Sequence, residues 1–195
     1  MVDVIGFSGS PRPGGNTDIL LDNFLKGAKI AGARTEKICL RDYVIQPCVG
    51  CEQCRKHKTC TKLLDGMQSL YPRIEAARGL ILGSPTYNYN VTSGVKSFID
   101  RLYPYYIFDD SRPRDYSSRF SGQGRKAIVF TVCEQEDIHE TGFALQAMKM
   151  PLEALGYDVI EEFLAKGCFD RAVVRTQKEL LETAVQHGIK LVQDL

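Results

Sequence analysis

Cys48, Cys51, Cys54 and Cys60 fall within thirteen residues in the pattern C-x2-C-x2-C-x5-C. Three thiolates at overlapping x2 spacing, with a fourth a short reach away, suit the sulfur ligation of one compact cubane, a [4Fe–4S] cluster. A structural zinc usually draws its four ligands from two separated knuckles that converge tetrahedrally on one ion. This run has no insert to separate them. Disulfides would need an oxidising compartment, and the chain opens Met1-Val2-Asp3-Val4-Ile5-Gly6 with neither a basic n-region nor an apolar h-region to send it there. Zinc and unmetallated, redox-sensing thiols stay open as alternatives. Arg55, Lys56, His57 and Lys58 lie between the last two cysteines. Positive charge there would offset the negative charge of a thiolate-bound cluster and raise its potential, or form no more than a solvated basic loop.

A second constellation is Gly6-Phe7-Ser8-Gly9-Ser10-Pro11-Arg12-Pro13-Gly14-Gly15-Asn16-Thr17, which joins an apolar run to a helical pattern. Amides and hydroxyls gathered at a helix N-terminus make an anion site, and phosphate is the natural occupant. Gly9-x4-Gly14 has the opening spacing of a Walker loop, but Gly15 stands where its lysine belongs. The glycines also miss the dinucleotide GxGxxG pattern. ATP and NAD recede as occupants of this loop, and a terminal monophosphate fits, with Ser8, Ser10, Gly15, Asn16 and Thr17 bonding it and Arg12 supplying charge. Asn16 would equally serve as an ordinary helix N-cap. A facing loop, Ser84 to Asn90, offers Pro85, Thr86, Tyr87 and Asn88 to a flat ring, with Tyr87 or Tyr89 on its face. Cys133 and Glu134 end a later strand within reach of the ring's far edge.

The elements that must position these groups follow from periodicity. Short apolar runs at 2–7, 34–40, 80–83, 127–132 and 158–163 alternate with helical patterns at 16–31, 65–77, 93–102, 142–155 and 176–193. Pro72 and Pro151 read as kinks or fresh starts. Five strands, each followed by a helix, imply an α/β domain with a parallel sheet covered on both faces. The count matches a flavodoxin-like, doubly wound sheet of order 2-1-3-4-5, with the cysteine run in the connection after the second strand. Ligands then bind beyond strands one and three, where the winding reverses. At 195 residues the chain is expected to be one domain, 1–195.

Gly9-Ser10-Pro11-Arg12, Gly15-Asn16-Thr17, Gly83-Ser84-Pro85-Thr86-Tyr87 and Lys96-Ser97-Phe98-Ile99-Asp100-Arg101 together resemble the NAD(P)H-dependent FMN reductase branch of flavodoxin-like proteins. The cysteine spacing makes the chain similar, more narrowly, to the iron–sulfur flavoproteins. The resemblance covers roughly residues 1–103. It implies FMN in the switch-point pocket, a [4Fe–4S] cluster on Cys48, Cys51, Cys54 and Cys60, and a homodimer or homotetramer. It also implies an FMN-dependent oxidoreductase that passes electrons between a one-electron carrier and a two-electron acceptor. FMN would carry the chemistry, so no acid–base triad is needed. A cluster-free NAD(P)H:FMN or quinone reductase, and a thiol-based redox-sensing flavin-binding module, are the competing functions.

Bulk composition narrows the partners. A net charge of +1 and the lack of any recognition motif imply no nucleic acid, and no apolar stretch approaches a membrane span. A soluble, cytoplasmic protein is expected, with NAD(P)H or a ferredoxin-like carrier as partner. Cys39, Cys133 and Cys168 sit in or beside apolar runs and are expected to be buried free thiols. The stretch from Tyr103 to Gly124 reads as an irregular functional loop, interface or flap, with an aromatic patch at Tyr103, Tyr105, Tyr106, Ile107 and Phe108. Arg112, Arg114 and Arg119 read as a solvated basic loop or a dock for an acidic carrier, and His139 and His187 as surface residues.

Overall fold

The structure is a computed structural model that describes residues 2–195. Its elements in chain order are β1 (Val4–Ser8), α1 (Asn16–Ile30), β2 (Thr35–Cys39), α2 (Gln53–His57), α3 (Met67–Ala76), β3 (Gly79–Pro85) and α4 (Ser93–Asp100). There follow β4 (Tyr106–Phe108), β5 (Tyr116–Ser118), β6 (Arg125–Val132), α5 (Ala144–Ala154), β7 (Tyr157–Ala165) and α6 (Lys178–Gln193). The main sheet is parallel throughout and runs β2-β1-β3-β6-β7. With the β4–β5 ribbon set aside, this is the expected order 2-1-3-4-5.

Strands buried on both faces read as continuous apolar runs, and β1 is buried at every position. Ile5 and Phe7 face a core closed by Leu70 and Ile74 of α3, Phe98 of α4 and Leu152 of α5. Val4 and Ile81 face the other way, toward Leu20, Leu21 and Phe24 of α1 and Ala184 and Leu191 of α6. Two helices therefore cover one face and three the other.

Several readings of the sequence change, among them Cys39, which is half-buried where a buried thiol was expected, while Cys133 and Cys168 are buried. The stretch 103–124 contains an antiparallel ribbon, Tyr106 to Phe108 against Tyr116 to Ser118. Its strands are three residues long, too short to show alternation. Tyr105 leaves the aromatic patch for the core, where it packs against Phe120 and Tyr71. Pro72 and Pro151 lie inside α3 and α5, so neither is a fresh start; tertiary burial of each apolar face outweighs the lost backbone bond. No helix among the described residues is long and apolar enough to cross a membrane.

The site depends on where α1 starts, and α1 is held from behind by α6 at backbone contact. A Cβ on Gly27 would stand 2.0 Å from the Val185 carbonyl oxygen, and one on Gly188 would stand 2.0 Å from that of Phe24. Gly188→Ala should therefore force the two helices apart and destabilise the domain by about 2 kcal/mol or more. Thermal unfolding checks this, with a drop in Tm of roughly 4 °C or more expected for a domain of this size.

Candidate functional site

The loops leaving β1 and β3 run side by side, joined by a bond from the Gly9 N–H to the Gly83 carbonyl at 2.7 Å. Thr92, which caps α4, fastens them further: its hydroxyl donates to the Gly9 carbonyl at 2.9 Å and its N–H to Ser84 Oγ at 3.1 Å. Beyond the strand ends lies a cavity of about 160 Å³. Nine residues expected at a cofactor line it: Ser10, Arg12, Gly15, Asn16, Thr17, Pro85, Thr86, Tyr87 and Glu134. Ser8, Asn88 and Cys133 do not. Ser8 is fully buried and its hydroxyl donates to Asp18, while Cys133 is buried with its backbone bonded to Ala165 and Cys168. Val132, Cys168, Phe169 and Arg171 complete the wall. Nothing in the local sequence marks the last three, which come from a loop more than 150 residues away from the first.

Gly14 adopts a left-handed φ of +65°, which lets the turn reach the helix without steric cost. Gly15 rather than Asn16 is the N-cap. Asn16 donates its side-chain amide to the carbonyls of Cys168 (3.2 Å) and Asp170 (2.9 Å), and its Oδ1 accepts from the Val174 N–H at 3.2 Å. Its side chain is thus a latch for the 168–174 loop, and its backbone N–H stands in the first turn of α1. The latched loop brings Arg171 close enough that its Nη2 would lie 3.3 Å from a Cβ on Gly14. Arg12 and Arg171 place two guanidinium groups on a cavity that opens at a helix N-terminus, a setting that favours a phosphate. On the other wall Asn88 and Tyr89 both have left-handed backbones, φ 47° and 61°. They form the corner of a tight turn closed by paired bonds between Tyr87 and Asn90. This conformation is disfavoured for tyrosine, and Phe143 holds it by donating its N–H to the Tyr89 carbonyl at 2.8 Å.

Beneath the cavity is an acidic group that sequence reasoning passed over. Asp18 is 3% exposed and accepts from Ser8, from the Gly14 N–H at 2.8 Å, and from both Nη atoms of Arg41 at 3.0 and 2.9 Å. Arg41 also donates to the Ser10 carbonyl at 3.1 Å. Burial alone would push the Asp18 carboxyl up, but the bonds from Arg41, Ser8 and Gly14 together hold it below its ordinary value. Cys168 is the opposite case, its thiol pushed up to about 11 by burial and therefore kept protonated.

The four clustered cysteines line a second cavity, also of about 160 Å³, together with Leu63, Arg101 and Tyr103. A cavity holding one water needs only ~15 Å³, so a single ion would not fill it. Cys48 and Cys51 are exposed, Cys54 and Cys60 half-buried. Burial pushes the Cys54 thiol up. The short helix α2 sits between left-handed residues, Glu52 at φ 56° and Lys58 at φ 57°. Among the described residues no three His, Cys, Asp or Glu side chains converge into a metal-binding group. The sulfurs share one chamber without closing on one point. Arg114 and Arg119 are not merely solvated: Arg114 pairs with Glu52 at 2.9 Å, and Arg119 donates to the Lys58 carbonyl at 3.1 Å. Tyr103, Tyr106, Phe108 and Tyr116 line a groove of about 460 Å³ that shares Cys48, Gly50 and Tyr103 with the cysteine cavity.

The chain belongs to the NADPH-dependent FMN reductase family, whose profile matches residues 2–119. It is 40% identical over 101 residues to an iron–sulfur flavoprotein of Methanocaldococcus jannaschii, a match covering 52% of each chain. It is 28% identical over 180 residues to an iron–sulfur flavoprotein of Archaeoglobus fulgidus, covering 88% of this chain and 80% of that one. The chain spans about half the length of most of the curated relatives it matches. Among solved structures, an NAD(P)H:quinone oxidoreductase from Methanothermobacter marburgensis superposes with a TM-score of 0.73 at 17% identity, covering 97% of this chain and 98% of that one. A flavone reductase superposes at 0.72 and 16% identity, covering 98% and 62%. Both share the fold.

Because Asp18 is held below its unfolded-state value of about 4, its contribution is full above that value and is lost as pH falls through the folded one. Asp18→Asn should lose on the order of 3 kcal/mol at pH 7, and the gap from wild type should shrink as pH drops below about 4. Urea unfolding at a series of pH values measures the gap; a pH-independent difference would show that the carboxylate charge is not the source.

Proposed function

We propose that this chain is an FMN-dependent oxidoreductase that also carries a [4Fe–4S] cluster on Cys48, Cys51, Cys54 and Cys60. Its role is to pass electrons between a one-electron carrier and a two-electron acceptor. The observation that carries this reading is the presence, in one small domain, of an anion-ready switch-point cavity and a separate cavity lined by four thiols. Membership of the reductase family and the names of its relatives support it.

FMN fits the donor set of the first cavity. Ser10, Thr17, the first N–H groups of α1, Arg12 and Arg171 would hold its phosphate, while Pro85, Thr86 and Tyr87 would flank its ring. The Thr86 N–H is committed to the Val132 carbonyl at 2.8 Å, and its hydroxyl shares a bond with Thr131 at 3.0 Å, so Thr86 offers the ring a fixed wall. Glu134 stands exposed at the mouth of the same cavity. When bound, flavin exchanges electrons singly or in pairs, and a sulfur-ligated cluster exchanges them singly. The cluster fits the four thiols and a buried donor without an acceptor on the wall of their cavity. NAD(P)H or a ferredoxin-like carrier is the proposed donor, and a homodimer or homotetramer the proposed assembly.

A cluster-free NAD(P)H:FMN or quinone reductase is the second reading, favoured by the failure of the thiols to converge. Anaerobic reconstitution with iron, sulfide and FMN separates the two. The expected result is iron and sulfide in equal amounts and a broad visible absorption that Cys51→Ser/Cys54→Ser abolishes while FMN stays bound. Protein that takes up FMN but no iron overturns the cluster, and bleaching of that FMN by NAD(P)H then establishes the second reading. For the flavin site, Arg12→Ala should weaken FMN binding about tenfold, the worth of one charge-assisted bond. It should leave riboflavin, which has no phosphate, unaffected. Flavin fluorescence titration measures both.

A further inference from the structure

Arg101 is the largest fully buried side chain among the described residues, at 2% exposure. It follows the last residue of α4 and reaches back under the cysteine segment. Nη1 donates to the Gln46 carbonyl at 2.9 Å and to Asp65 Oδ2 at 2.7 Å. Nη2 donates to the Leu63 carbonyl at 3.2 Å and to Asp65 Oδ1 at 3.1 Å. Nε has no partner, and it is one of only two buried side-chain nitrogen or oxygen atoms so left among the described residues. The other is Nε of Arg114, which pairs with Glu52 in the same cysteine segment.

An unmet donor on a buried cation is costly, and native structures rarely tolerate one without a reason. Holding Asp65 and the two carbonyls explains Nη1 and Nη2. It does not explain Nε, nor why a charge fully shielded from water lines the cavity of Cys48, Cys51, Cys54 and Cys60. Thiolates and inorganic sulfides accept hydrogen bonds, and such bonds set cluster potentials. Arg101 and Cys60 line the same cavity.

We propose that Arg101 tunes the reduction potential of the cysteine-bound cluster, its Nε–H donating to a sulfur in that cavity. The proposal rests on the iron–sulfur reading above. Reduction adds one electron, taken from an external one-electron donor, and so one negative charge to the cluster; no bond to protein is made or broken. A donor and a buried positive charge beside the cluster favour the reduced form. Asp65, 3% exposed, opposes that effect by compensating the charge.

The two partners therefore predict shifts of opposite sign. The experiment is an anaerobic dithionite titration of the reconstituted holoprotein, followed by the EPR signal of the reduced cluster, with iron and sulfide analysis and circular dichroism on each variant. Arg101→Gln should bind iron and sulfide and lower the equilibrium constant for one-electron reduction about tenfold, or 59 mV. Asp65→Asn should raise it. Variants that retain cluster and fold but titrate at the wild-type potential, or that shift in the same direction, overturn the proposal. If Arg101→Gln does not fold, Asp65→Asn decides alone: a rise supports the proposal and an unchanged potential overturns it. Wild-type protein that binds no iron overturns the iron–sulfur reading first and the proposal with it.

Discussion

The connection from β2 to α3, residues 40–66, must carry four cysteines across the edge of the domain with little hydrophobic core of its own, and a buried ion pair at each end makes this possible. Arg41 enters the connection bonded to Asp18, and Asp65 leaves it bonded to Arg101. In each pair the carboxylate is almost wholly buried and accepts backbone N–H groups as well, Gly14 for Asp18 and Gln46 and Met67 for Asp65. Satisfaction of that kind is what keeps a buried charge from being a net penalty. The pairs do different work. Asp18–Arg41 ties the start of the cysteine segment to the floor of the phosphate-type turn. Asp65–Arg101 ties its end to the helix that follows β3. Each end of the cysteine segment is thus anchored by its own ion pair to an element of the sheet-and-helix core.

The sheet itself leaves little freedom at the switch point. Gly83 lies against Phe130, whose ring would stand 2.0 Å from a Cβ there, and a Cβ on Gly9 would meet Val95 at the same distance. Close approach at these positions lets the loops after β1 and β3 share backbone bonds and face one cavity. The third wall comes from the 168–174 loop, which leaves the end of β7, is bonded to the Cys133 carbonyl through the Cys168 N–H, and is latched by the Asn16 amide. Sheet geometry fixes two sides of the site, and strand ends and one polar side chain together fix the other.

The strand order was legible because apolar runs of four to seven residues alternate with helical patterns, a signal that needs no tertiary knowledge. The β4–β5 ribbon was not, since three-residue strands around a Pro- and Arg-rich bend give no period to read. Residue type also misled about roles. Ser8 and Asn16 look like phosphate ligands, yet their side chains serve Asp18 and the 168–174 loop. A hydroxyl or amide advertises that it will bond but not to what. Asp18 went unnoticed because an acidic residue in a first helical turn is ordinary on dipole grounds. Its burial depends on Arg41, which is distant in sequence. Phe169 and Arg171 carry no local mark at all.

Order within the cysteine segment comes mostly from side chains. Between its anchored ends few backbone bonds hold it: Arg55 to Glu52, Lys58 to Cys54 and Gly66 to Val44. Side chains add more: Arg101 on the Gln46 and Leu63 carbonyls, Gln68 on those of Cys60 and Leu63, and, from the ribbon side, Arg114 on Glu52, Arg55 on Asp110 and over the Phe108 ring, and Arg119 on the Lys58 carbonyl. Exposed pairs of this kind are each worth little, so the segment belongs to the least stable part of the structure. Under the iron–sulfur reading proposed above, the free energy of binding the cluster would supply the last of the local order. The core beneath does not depend on it: α1, α6 and the five strands pack without any residue of 48–60 except Cys60, which only borders the core. The result is a division of labour, a floor set by the sheet and two buried charge pairs under a segment that the proposed cluster would complete.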